Sequence, residues 1–483
     1  MLYGPKNVCV CDSSRLSGGP EWSAMNDEYD LAIIGSGGAA FAAAIRASSM
    51  GARVVVVERD EIGGTCVNIG CVPSKTMLAG ADALHRAGQG LFDGISTSAG
   101  TPDLGALVAQ KDDLVAGLRQ AKYVDLAPEY GFEILRGHAT FDGDDRVLVA
   151  DQTIRATAYL IATGADQSIP EVTGLREAGY LTSTTAMNLK DVPRRLTIIG
   201  GGFVGMEQGQ LFSRLGSQVT IVGRLAPHAE PELAEWIGRV FADEGITVIP
   251  ERAVTVETGT GATVLVTDKG TRINTGVILA ATGRHARVAD LGLDRAGVEL
   301  DQHGFVRIDE HQRTTNARVF AAGDVTGGPQ FVYTAAAQGA VAAENALTGT
   351  RLTVDYTALP SVIFTSPALA SVGRTEADVL ASAEPCECRV LQLADLPRAI
   401  VNRDTRGAIK MLINPHTRKI LGVHAVAENA GELLLPATYA IKFGLTVEDV
   451  ATTWAPYLTL SEGLKLVAQS FRADIKKLSC CAS

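Results

Sequence analysis

The sequence predicts an α/β fold with two Rossmann-like dinucleotide-binding domains and a smaller C-terminal α+β domain. Two observations predict it. A glycine-rich strand–turn–helix–strand unit occurs twice, near residue 35 and near residue 200, and from about Tyr356 short strands alternate with amphipathic helices without such a loop. The chain has 483 residues, enough for about three or four domains at roughly 100–200 residues each.

Composition and charge exclude several classes of protein. Hydrophobic residues make up 46% and charged residues 20%, which excludes a disordered, collagen-like or coiled-coil chain. The net charge of −11 argues against a nucleic-acid partner. The longest mostly apolar run, Leu31–Ile45, is too short and too rich in glycine to span a bilayer. We therefore expect no membrane insertion and a cytoplasmic location.

Residues 1–26 mix glycine, serine, proline and charge without periodicity. We interpret them as a disordered leader, or as an upstream start on a chain that begins near Met25. The eight cysteines fall in four close pairs, which in a cytosolic chain indicate redox or metal chemistry before structural disulfides. Those pairs are Cys9/Cys11, Cys66/Cys71, Cys386/Cys388 and Cys480/Cys481.

The first dinucleotide unit begins with an apolar strand at residues 31–34, and a second strand at 53–57 ends at Glu58. Between them, Gly35 permits a tight turn, Gly37 lets a pyrophosphate approach the backbone, and Ala40 allows the helix to pack closely on the strand. Glu58 is placed to accept a hydrogen bond from a ribose hydroxyl. Strands and acid at these spacings make the motif a strong one.

The second unit repeats this pattern with one difference. Strand 196–199 leads into Gly200, Gly202 and Gly205, but the following strand, 218–222, ends at Gly223 and Arg224 in place of an acid. An arginine suits a 2′-phosphate, so we expect NADPH here; the alternative is a solvated Arg224 without that role. Two dinucleotide sites in one chain are most simply a flavin in the first and a nicotinamide in the second.

Smaller motifs agree with two cofactor domains. Two Ala-Thr-Gly triplets, which end at Gly164 and Gly283, each follow an apolar strand where the chain could cross between domains. Asp324 ends a further strand and suits a flavin ribityl hydroxyl.

The segment GGTCVNIGCVPSK, residues 63–75, contains the predicted redox centre. Cys66 and Cys71 are separated by four residues, and Pro73 and Ser74 then begin a helix. Cys71 thus lies near a helix N-terminus, which lowers a thiol pKa, and one of the two sulfurs can be a thiolate against the flavin while the other faces the substrate.

This string, between two dinucleotide units, resembles the flavin disulfide-reductase family, and the resemblance extends from Tyr29 to Ser483. It implies a homodimer with its active sites at the subunit interface, FAD and NADPH as cofactors, Gly64, Thr65 and Lys75 at the flavin, and Lys75 paired with Glu207. The implied domains are the first FAD-binding part at 27–165, the NADPH-binding domain at 166–285, the second FAD-binding or central part at 286–355, and the dimerisation domain at 356–483.

Three features favour one branch of this family. Thiol-disulfide members have a histidine five residues before the glutamate at Glu462, where this chain has Tyr457. A phenol of pKa near 10 is a poor proton donor at neutral pH for a thiolate leaving group. Near its C-terminus the chain also has the adjacent pair Cys480 and Cys481, and soft sulfur ligands suit a soft metal ion. With Tyr123 after the redox segment, these changes resemble mercuric reductases.

The resemblance implies NADPH-dependent reduction of Hg(II) to Hg(0). Cys480 and Cys481 of one subunit would pass Hg(II) from its thiol complexes to Cys66 and Cys71 of the other, with Tyr123 and Tyr457 positioning the ion. A thiol-disulfide reductase of the large thioredoxin reductase type is the alternative, and a flavoprotein that sequesters soft metal without turnover is a third. We expect Cys386 and Cys388 to lie in an exposed loop without a catalytic role.

Overall fold

The computed structural model describes residues 29–259 and 261–475, which form five β-sheets with helices packed against them. The predicted leader at 1–26 and the tail cysteines Cys480 and Cys481 lie outside these residues. None of the helices in the described ranges has the length and apolarity needed to cross a bilayer.

Strands and helices follow one another along the described chain, apart from residues 287–318, which contain neither. The strands are β1 (Tyr29–Ile34), β2 (Val54–Glu58), β3 (Glu133–Arg136), β4 (Ala139–Phe141), β5 (Arg146–Val149), β6 (Gln152–Ile161), β7 (Ala165–Gln167), β8 (Arg195–Ile199), β9 (Gln218–Val222), β10 (Thr247–Ile249), β11 (Ala253–Gly259), β12 (Ala262–Thr267), β13 (Arg272–Thr275), β14 (Val277–Ala280), β15 (Arg284–Ala286), β16 (Val319–Ala321), β17 (Pro360–Ile363), β18 (Ala368–Gly373), β19 (Glu387–Gln392), β20 (Ala408–Ile413) and β21 (Ile420–Ala427). The α-helices are α1 (Gly38–Ser49), α2 (Gly64–Asn68), α3 (Cys71–Gln89), α4 (Leu104–Arg119), α5 (Leu126–Tyr130), α6 (Leu175–Ala178), α7 (Ser183–Ala186), α8 (Phe203–Arg214), α9 (Pro231–Asp243), α10 (Val332–Thr348), α11 (Glu376–Ala381), α12 (Pro397–Val401), α13 (Ala430–Lys442), α14 (Val447–Thr452) and α15 (Glu462–Gln469). A π-helical turn occupies Gln120–Val124, and 3-10 turns occupy Asp324–Thr326 and Leu393–Asp395.

Strand β6 lies at the centre of the first, seven-stranded sheet. It pairs in parallel with β1 and β16 and antiparallel with β5, and β2 and β3 extend the parallel part beyond β1. The four valines of β2 are all buried, as expected for a parallel strand covered on both faces. The carboxyl ends of parallel strands meet at one edge, so the residues after β1, β6 and β16, namely Gly35, Gly164 and Asp324, come together.

The second domain repeats this arrangement on a smaller scale. Its four parallel strands have the order β10-β9-β8-β14, and a three-stranded antiparallel sheet, β11-β12-β13, belongs to the same region. The chain crosses between the two domains at β7 and again at β15, and these two strands form a two-stranded antiparallel sheet. These crossings follow the two Ala-Thr-Gly triplets, in agreement with the sequence analysis.

The C-terminal domain is an antiparallel five-stranded sheet of order β17-β18-β21-β20-β19. One face packs against α13, α14 and α15 in a common apolar core. The opposite face contributes Leu369, Ala408 and Val426 to a core that also contains Leu233 and Ile237 of α9. The sheet therefore lies between its own helices and the second dinucleotide-binding domain.

Candidate functional site: a dithiol beside two dinucleotide cavities

Cys66 and Cys71 lie on two consecutive helices that meet at Gly70. Cys66 is in the five-residue helix α2, and Cys71 is the first residue of α3, two residues earlier than the helix start that the sequence predicts at Pro73. Gly70 permits this tight junction, because a Cβ there would lie 2.9 Å from the carbonyl oxygen of Thr65. Both cysteines are free thiols in the structure. The start of a helix stabilises a thiolate at Cys71.

The pKa values of the two thiols are displaced in opposite directions. The pKa of Cys71 falls from 9.0 to about 7, because it accepts a hydrogen bond from the Cys66 thiol and lies near the Lys75 ammonium. The pKa of Cys66 is raised, because this thiol is the donor in that hydrogen bond and is also partly buried. Near neutral pH a large fraction of Cys71 is therefore thiolate, whereas Cys66 keeps its proton.

Lys75 and Glu207 form the ion pair that the family resemblance implies. Lys75 Nζ donates to both carboxylate oxygens of Glu207, at 2.9 and 3.0 Å. The same carboxylate accepts the backbone N–H of Phe364 at 2.9 Å, and the Lys75 ammonium lies 4.5 Å from the centre of the Phe364 ring. Three separate parts of the chain thus fix this charge pair one helical turn after Cys71.

Tyr123 lies on the π-helical turn at Gln120–Val124, a distortion that occurs frequently at functional sites. Its ring contacts the ring of Phe41 edge-on, with the centroids 4.8 Å apart, and it passes over Gly63. Burial raises the pKa of the Tyr123 phenol, and the charges of Cys66 and Cys71 raise it further. Tyr123 is therefore a neutral phenol close to both thiols.

A cavity of about 510 Å³ connects the glycine loop after β1 with the two thiols. The predicted site residues that line it are Gly35, Gly37, Glu58, Gly64, Thr65, Cys66, Cys71, Lys75, Gly164, Glu207 and Asp324. The structure thus brings together residues from the two sequence segments, 27–165 and 286–355, that the sequence analysis assigned to the flavin.

Several observations show that this cavity fits a dinucleotide. At Gly35, where φ is +104°, a Cβ would lie 2.4 Å from the carbonyl oxygen of Ala162, and a Cβ at Gly64 would lie 2.5 Å from Gly37 Cα. The bare backbone that remains can approach a pyrophosphate closely. Three buried polar atoms of lining residues, Arg284 Nε, Arg287 Nε and Gln208 Oε1, have no hydrogen-bond partner within the described chain. A polar ligand would supply those partners.

Two carboxylates face the same cavity. Glu58 accepts hydrogen bonds from the hydroxyl of Ser36 at 2.5 Å and from the backbone N–H of Asp60 at 2.7 Å. Burial raises the pKa of Asp324, and Arg284, whose Nε lies 3.8 Å from the carboxylate, opposes this shift. Both side chains remain able to accept a hydrogen bond from a sugar hydroxyl, as the sequence predicts.

The second cavity, of about 660 Å³, lies at the glycine loop after β8 and includes Gly200 and Arg224 in its lining. Arg252 and Lys269, which the sequence analysis did not identify, add two cations beside Arg224. The lining also contains three carboxylates, Glu171, Glu251 and Asp268, so it has no excess of positive charge, and the expected contact with a 2′-phosphate depends on Arg224.

The other glycines of this region shape the loop or flank it. A Cβ at Gly205 would lie 1.9 Å from the carbonyl oxygen of Gly200, so this position requires glycine. Gly202 caps the N-terminus of α8, and Gly283, where φ is +104°, leads into β15.

Some predicted residues lie elsewhere. Tyr457 lines neither of these cavities; it lies between α14 and α15 and is 51% exposed. Ala40 is fully buried on α1, where it packs the helix against the sheet. The expectation of an exposed loop is wrong for Cys388, which is in β19, whereas Cys386 lies in the loop just before that strand; both side chains are partly buried. The proposed metal ligands Cys480 and Cys481 lie outside the described residues.

Comparison with known proteins identifies the family. Residues 29–339 match the pyridine nucleotide-disulphide oxidoreductase family, and residues 359–468 match the dimerisation domain of that family. The mercuric reductase of Streptomyces lividans is 50% identical over 466 residues, which cover 94% of this chain and 98% of that protein. The chain belongs to the mercuric reductase family.

Other relatives and solved structures agree with this family. The mercuric reductase of Lysinibacillus sphaericus is 46% identical over 94% of this chain and 85% of its own length. Among solved structures, the HOCl-induced flavoprotein disulfide reductase RclA of Escherichia coli has a TM-score of 0.82 at 26% identity, with 91% of this chain and 99% of that chain covered. LpdA of Mycobacterium tuberculosis has a TM-score of 0.81 at 26% identity, with 92% and 100% covered.

Membership of the mercuric reductase family confirms the predicted fold class and the two cofactors, FAD and NADPH. The dimerisation-domain match supports a homodimer. Helix α13 agrees with this, because Leu435, Tyr439 and Phe443 are four residues apart, form one apolar stripe, and are 52–69% exposed. A second subunit would cover such a stripe.

Two aromatic residues at this family's redox site were not identified from the sequence. Phe364 contacts Lys75, and Tyr333 lines the flavin cavity, where burial raises its pKa to about 12. The ring of Tyr333 stacks on Phe331, with the centroids 5.2 Å apart and the planes 7° apart. Neither aromatic lies in a motif, and their positions depend on how distant segments fold onto the redox helix.

Proposed function

We infer that this protein reduces Hg(II) to Hg(0) with electrons from NADPH, with FAD as the resident cofactor. The observation that supports this most directly is the dithiol Cys66/Cys71 on the flavin cavity, in a chain whose relatives are mercuric reductases and which has Tyr457 in place of a proton-donating histidine. A metal product needs no protonated leaving group, so the reaction does not require that histidine.

The cofactors supply the redox chemistry: when bound, FAD accepts a hydride equivalent from NADPH and makes an electron pair available for the metal. The chain contributes cradles for both dinucleotides. Gly35, Gly37, Gly64, Gly164, Glu58 and Asp324 would hold FAD, and Gly200, Gly202 and Arg224 would hold NADPH. Ala40, Gly205 and Gly283 would shape these loops from behind or beside them.

Lys75 and Glu207 would act at the wall of the flavin cavity, which both side chains line. Their ion pair fixes an ammonium next to the flavin cavity without leaving an uncompensated charge, because Glu207 is buried and accepts two bonds from Lys75. The ammonium also keeps the pKa of Cys71 low. The pair of Lys75 and Glu207 would thus hold a positive charge beside the flavin cavity and stabilise the thiolate form of Cys71.

Cys66 and Cys71 would bind the substrate by ligand exchange. Hg(II) arrives with two small thiolates, forms bonds to both active-site sulfurs, and releases the two small thiolates, one of which takes the proton of Cys66. Cys71 would attack first, since its pKa of about 7 gives it a large thiolate fraction at neutral pH, whereas Cys66 is protonated. Two electrons then convert the bound Hg(II) to Hg(0), and both cysteine sulfurs are left as thiolates.

Delivery and positioning complete the proposal. Cys480 and Cys481 of one subunit would collect Hg(II) from thiol complexes and pass it to the redox centre of the other, at the subunit interface. Tyr123, a neutral phenol beside the thiols, would orient the ion from one subunit, and Tyr457, on the exposed surface of the dimerisation domain, from the other. We place this chemistry in the cytoplasm, where NADPH is available and thiols stay reduced.

The test measures NADPH oxidation with Hg(II) in an excess of a small thiol, and oxidised glutathione in parallel. Many turnovers with mercury vapour leaving the solution, and an inert disulfide, are expected. Rapid turnover of the disulfide with mercury acting as an inhibitor would establish a thiol-disulfide reductase instead. Stoichiometric mercury binding without NADPH consumption would establish a sequestering protein.

A further inference from the structure

Cys386 and Cys388 lie on a different surface from the redox centre, at the edge of the C-terminal sheet. In β19, Cys388 pairs with Leu412 of β20, and Val390 pairs with Lys410. Side chains alternate along a strand, so Cys388 and Lys410 lie on one face of the sheet. His424, opposite Lys410 on β21, shares that face, which is the one that packs against α9.

A buried cluster of charges fills this contact between domains. The Lys410 side chain is fully buried, and its ammonium lies 2.8 Å from Glu230, 3.0 Å from Glu232 and 2.7 Å from Glu376. Three carboxylates thus surround one ammonium. Burial lowers the pKa of His424, so at neutral pH this ring does not offset the excess of negative charge.

The thiols extend this cluster toward the surface. Cys388 Sγ lies 4.0 Å from the Glu376 carboxylate, the same oxygen that binds Lys410. The charge of the same Glu376 carboxylate raises the pKa of the Cys386 thiol, and the charge of Lys410 lowers it. Burial, with Glu376 adding to it, raises the pKa of both thiols. Both thiols are therefore protonated at neutral pH. The excess of carboxylates around them favours binding of a cation.

The spacing of the two thiols restricts which cation can bind. Cys386 lies just before β19 and Cys388 lies within it, and two residues of extended chain span at most about 7 Å, within reach of one ion held between two sulfurs. No group of three or more His, Cys, Asp and Glu side chains in the described ranges is arranged to hold a metal. A tetrahedral ion such as Zn(II) would lack ligands here. A soft ion that is satisfied by two thiolates would not.

We propose that Cys386 and Cys388 form a second dithiol site, which binds one soft, thiophilic metal ion such as Hg(II) without reducing it. The exchange is redox-neutral. Two S–Hg bonds to Cys386 and Cys388 form, two bonds from Hg(II) to small thiolates break, and the two cysteine protons leave on the released thiols. The net charge of the site does not change, because the two positive charges of the ion replace those of the two protons.

The site is tested by metal stoichiometry, which does not depend on the reductase activity proposed above. A FAD-loaded variant with Cys9, Cys11, Cys66, Cys71, Cys480 and Cys481 replaced by serine keeps Cys386 and Cys388 as its cysteines. After incubation with HgCl₂ and an excess of a small monothiol, followed by gel filtration, we expect about one Hg per chain. The further substitution Cys386→Ser is expected to remove nearly all of it. Failure to retain Hg, or Hg retained after Cys386→Ser, overturns the proposal.

A second measurement covers the case in which the six-serine variant does not fold. The double variant Cys386→Ser/Cys388→Ser of the otherwise unchanged chain should bind about one Hg fewer per chain than the wild type, with Hg(II)-dependent NADPH oxidation within about twofold. An equal stoichiometry in the two proteins contradicts the site. Zinc sulfate in place of HgCl₂ should leave no metal on the chain, and its retention would refute the assignment to a two-thiolate ion.

Discussion

The two described cysteine pairs of this chain have opposite electrostatic surroundings. Cys71 accepts a hydrogen bond from the Cys66 thiol, begins a helix and lies near the Lys75 ammonium, so its pKa falls to about 7. Cys388 lies in a strand beside the Glu376 carboxylate, and its pKa is raised. Both pairs are partly accessible free thiols, so exposure alone does not separate a redox centre from a pair without a redox role.

The difference lies in what each pair contacts. Cys66 and Cys71 line a cavity that fits a dinucleotide, next to a cation. Cys386 and Cys388 border an ion cluster that joins two domains. The first setting stabilises a thiolate that can exchange ligands quickly. The second keeps two protonated sulfurs until a metal displaces their protons.

The largest expected effect is on turnover. Cys66→Ser or Cys71→Ser should lower Hg(II)-dependent NADPH oxidation by about 10³-fold or more, because the two sulfurs bind the ion as a unit. The matched variant Cys388→Ser should change the rate by less than about twofold. Comparable losses in both pairs would mean that the second pair takes part in turnover.

The next effect is on stability. Lys410→Met leaves the buried Glu230 carboxylate without its ammonium, and removing one partner of a buried ion pair costs about 3–5 kcal/mol. The exposed pair Arg239–Glu235 on α9 provides the control, and Arg239→Met should cost at most about 1 kcal/mol. Urea unfolding midpoints at a fixed protein concentration measure both. Similar midpoints for the two variants would show that the cluster does not hold the domains together.

A smaller effect concerns the pH at which Cys71 reacts. In the reduced enzyme, its alkylation by iodoacetamide should reach half its maximal rate near pH 7, and the rate falls below that pH because the thiolate becomes protonated. Lys75→Met removes a charge that lowers this pKa, so the midpoint should move up by about one unit and the rate at pH 7 should fall several-fold. Lys75→Arg keeps the charge and should keep the midpoint near that of the wild type. If the midpoint of Lys75→Met equals that of the wild type, the low pKa of Cys71 is due only to the hydrogen bond from Cys66 and to the helix N-terminus.

The smallest effect concerns the second pair. Glu376→Gln removes the carboxylate nearest to Cys388, so the pKa of that thiol should fall and its alkylation rate at pH 8 should rise by about two- to fivefold. Glu387→Gln, between the two cysteines, is the control that should leave this rate nearly unchanged. Mass spectrometry of the alkylated peptide separates Cys388 from the other thiols.

Motifs with a fixed local geometry were predicted well from the sequence. The strand at 218–222 has in the structure the bounds that the sequence predicts, and Gly35, Gly164 and Asp324 meet because parallel strands bring their carboxyl ends together. The ion pair of Lys75 with Glu207 followed from the family resemblance, although 132 residues separate the two.

Contacts without a local pattern were missed. Phe364 reaches Lys75 from the C-terminal domain, and its position depends on how β17 packs beside α8. The partly buried position of Cys388 was also missed, because the charged residues around it suggest an exposed loop, whereas Lys410 and its carboxylates are buried together. A sequence pattern shows the periodicity of a single segment. These contacts depend on how several distant segments pack together, so no such pattern predicts them.

The close contact of Gly37 with Gly64 has a consequence for protein engineering. A Cβ at Gly64 would lie 2.5 Å from Gly37 Cα, so the phosphate loop and the redox segment share a single backbone-to-backbone junction. A graft of residues 63–75 onto another nucleotide-binding scaffold must therefore keep Gly64 and needs a recipient loop whose backbone follows that of Gly37, where a Cβ would lie 3.8 Å from Gly64 Cα and would be tolerated. The transferable module is the pair of segments, and its minimum length runs from the first strand to the end of the redox helix.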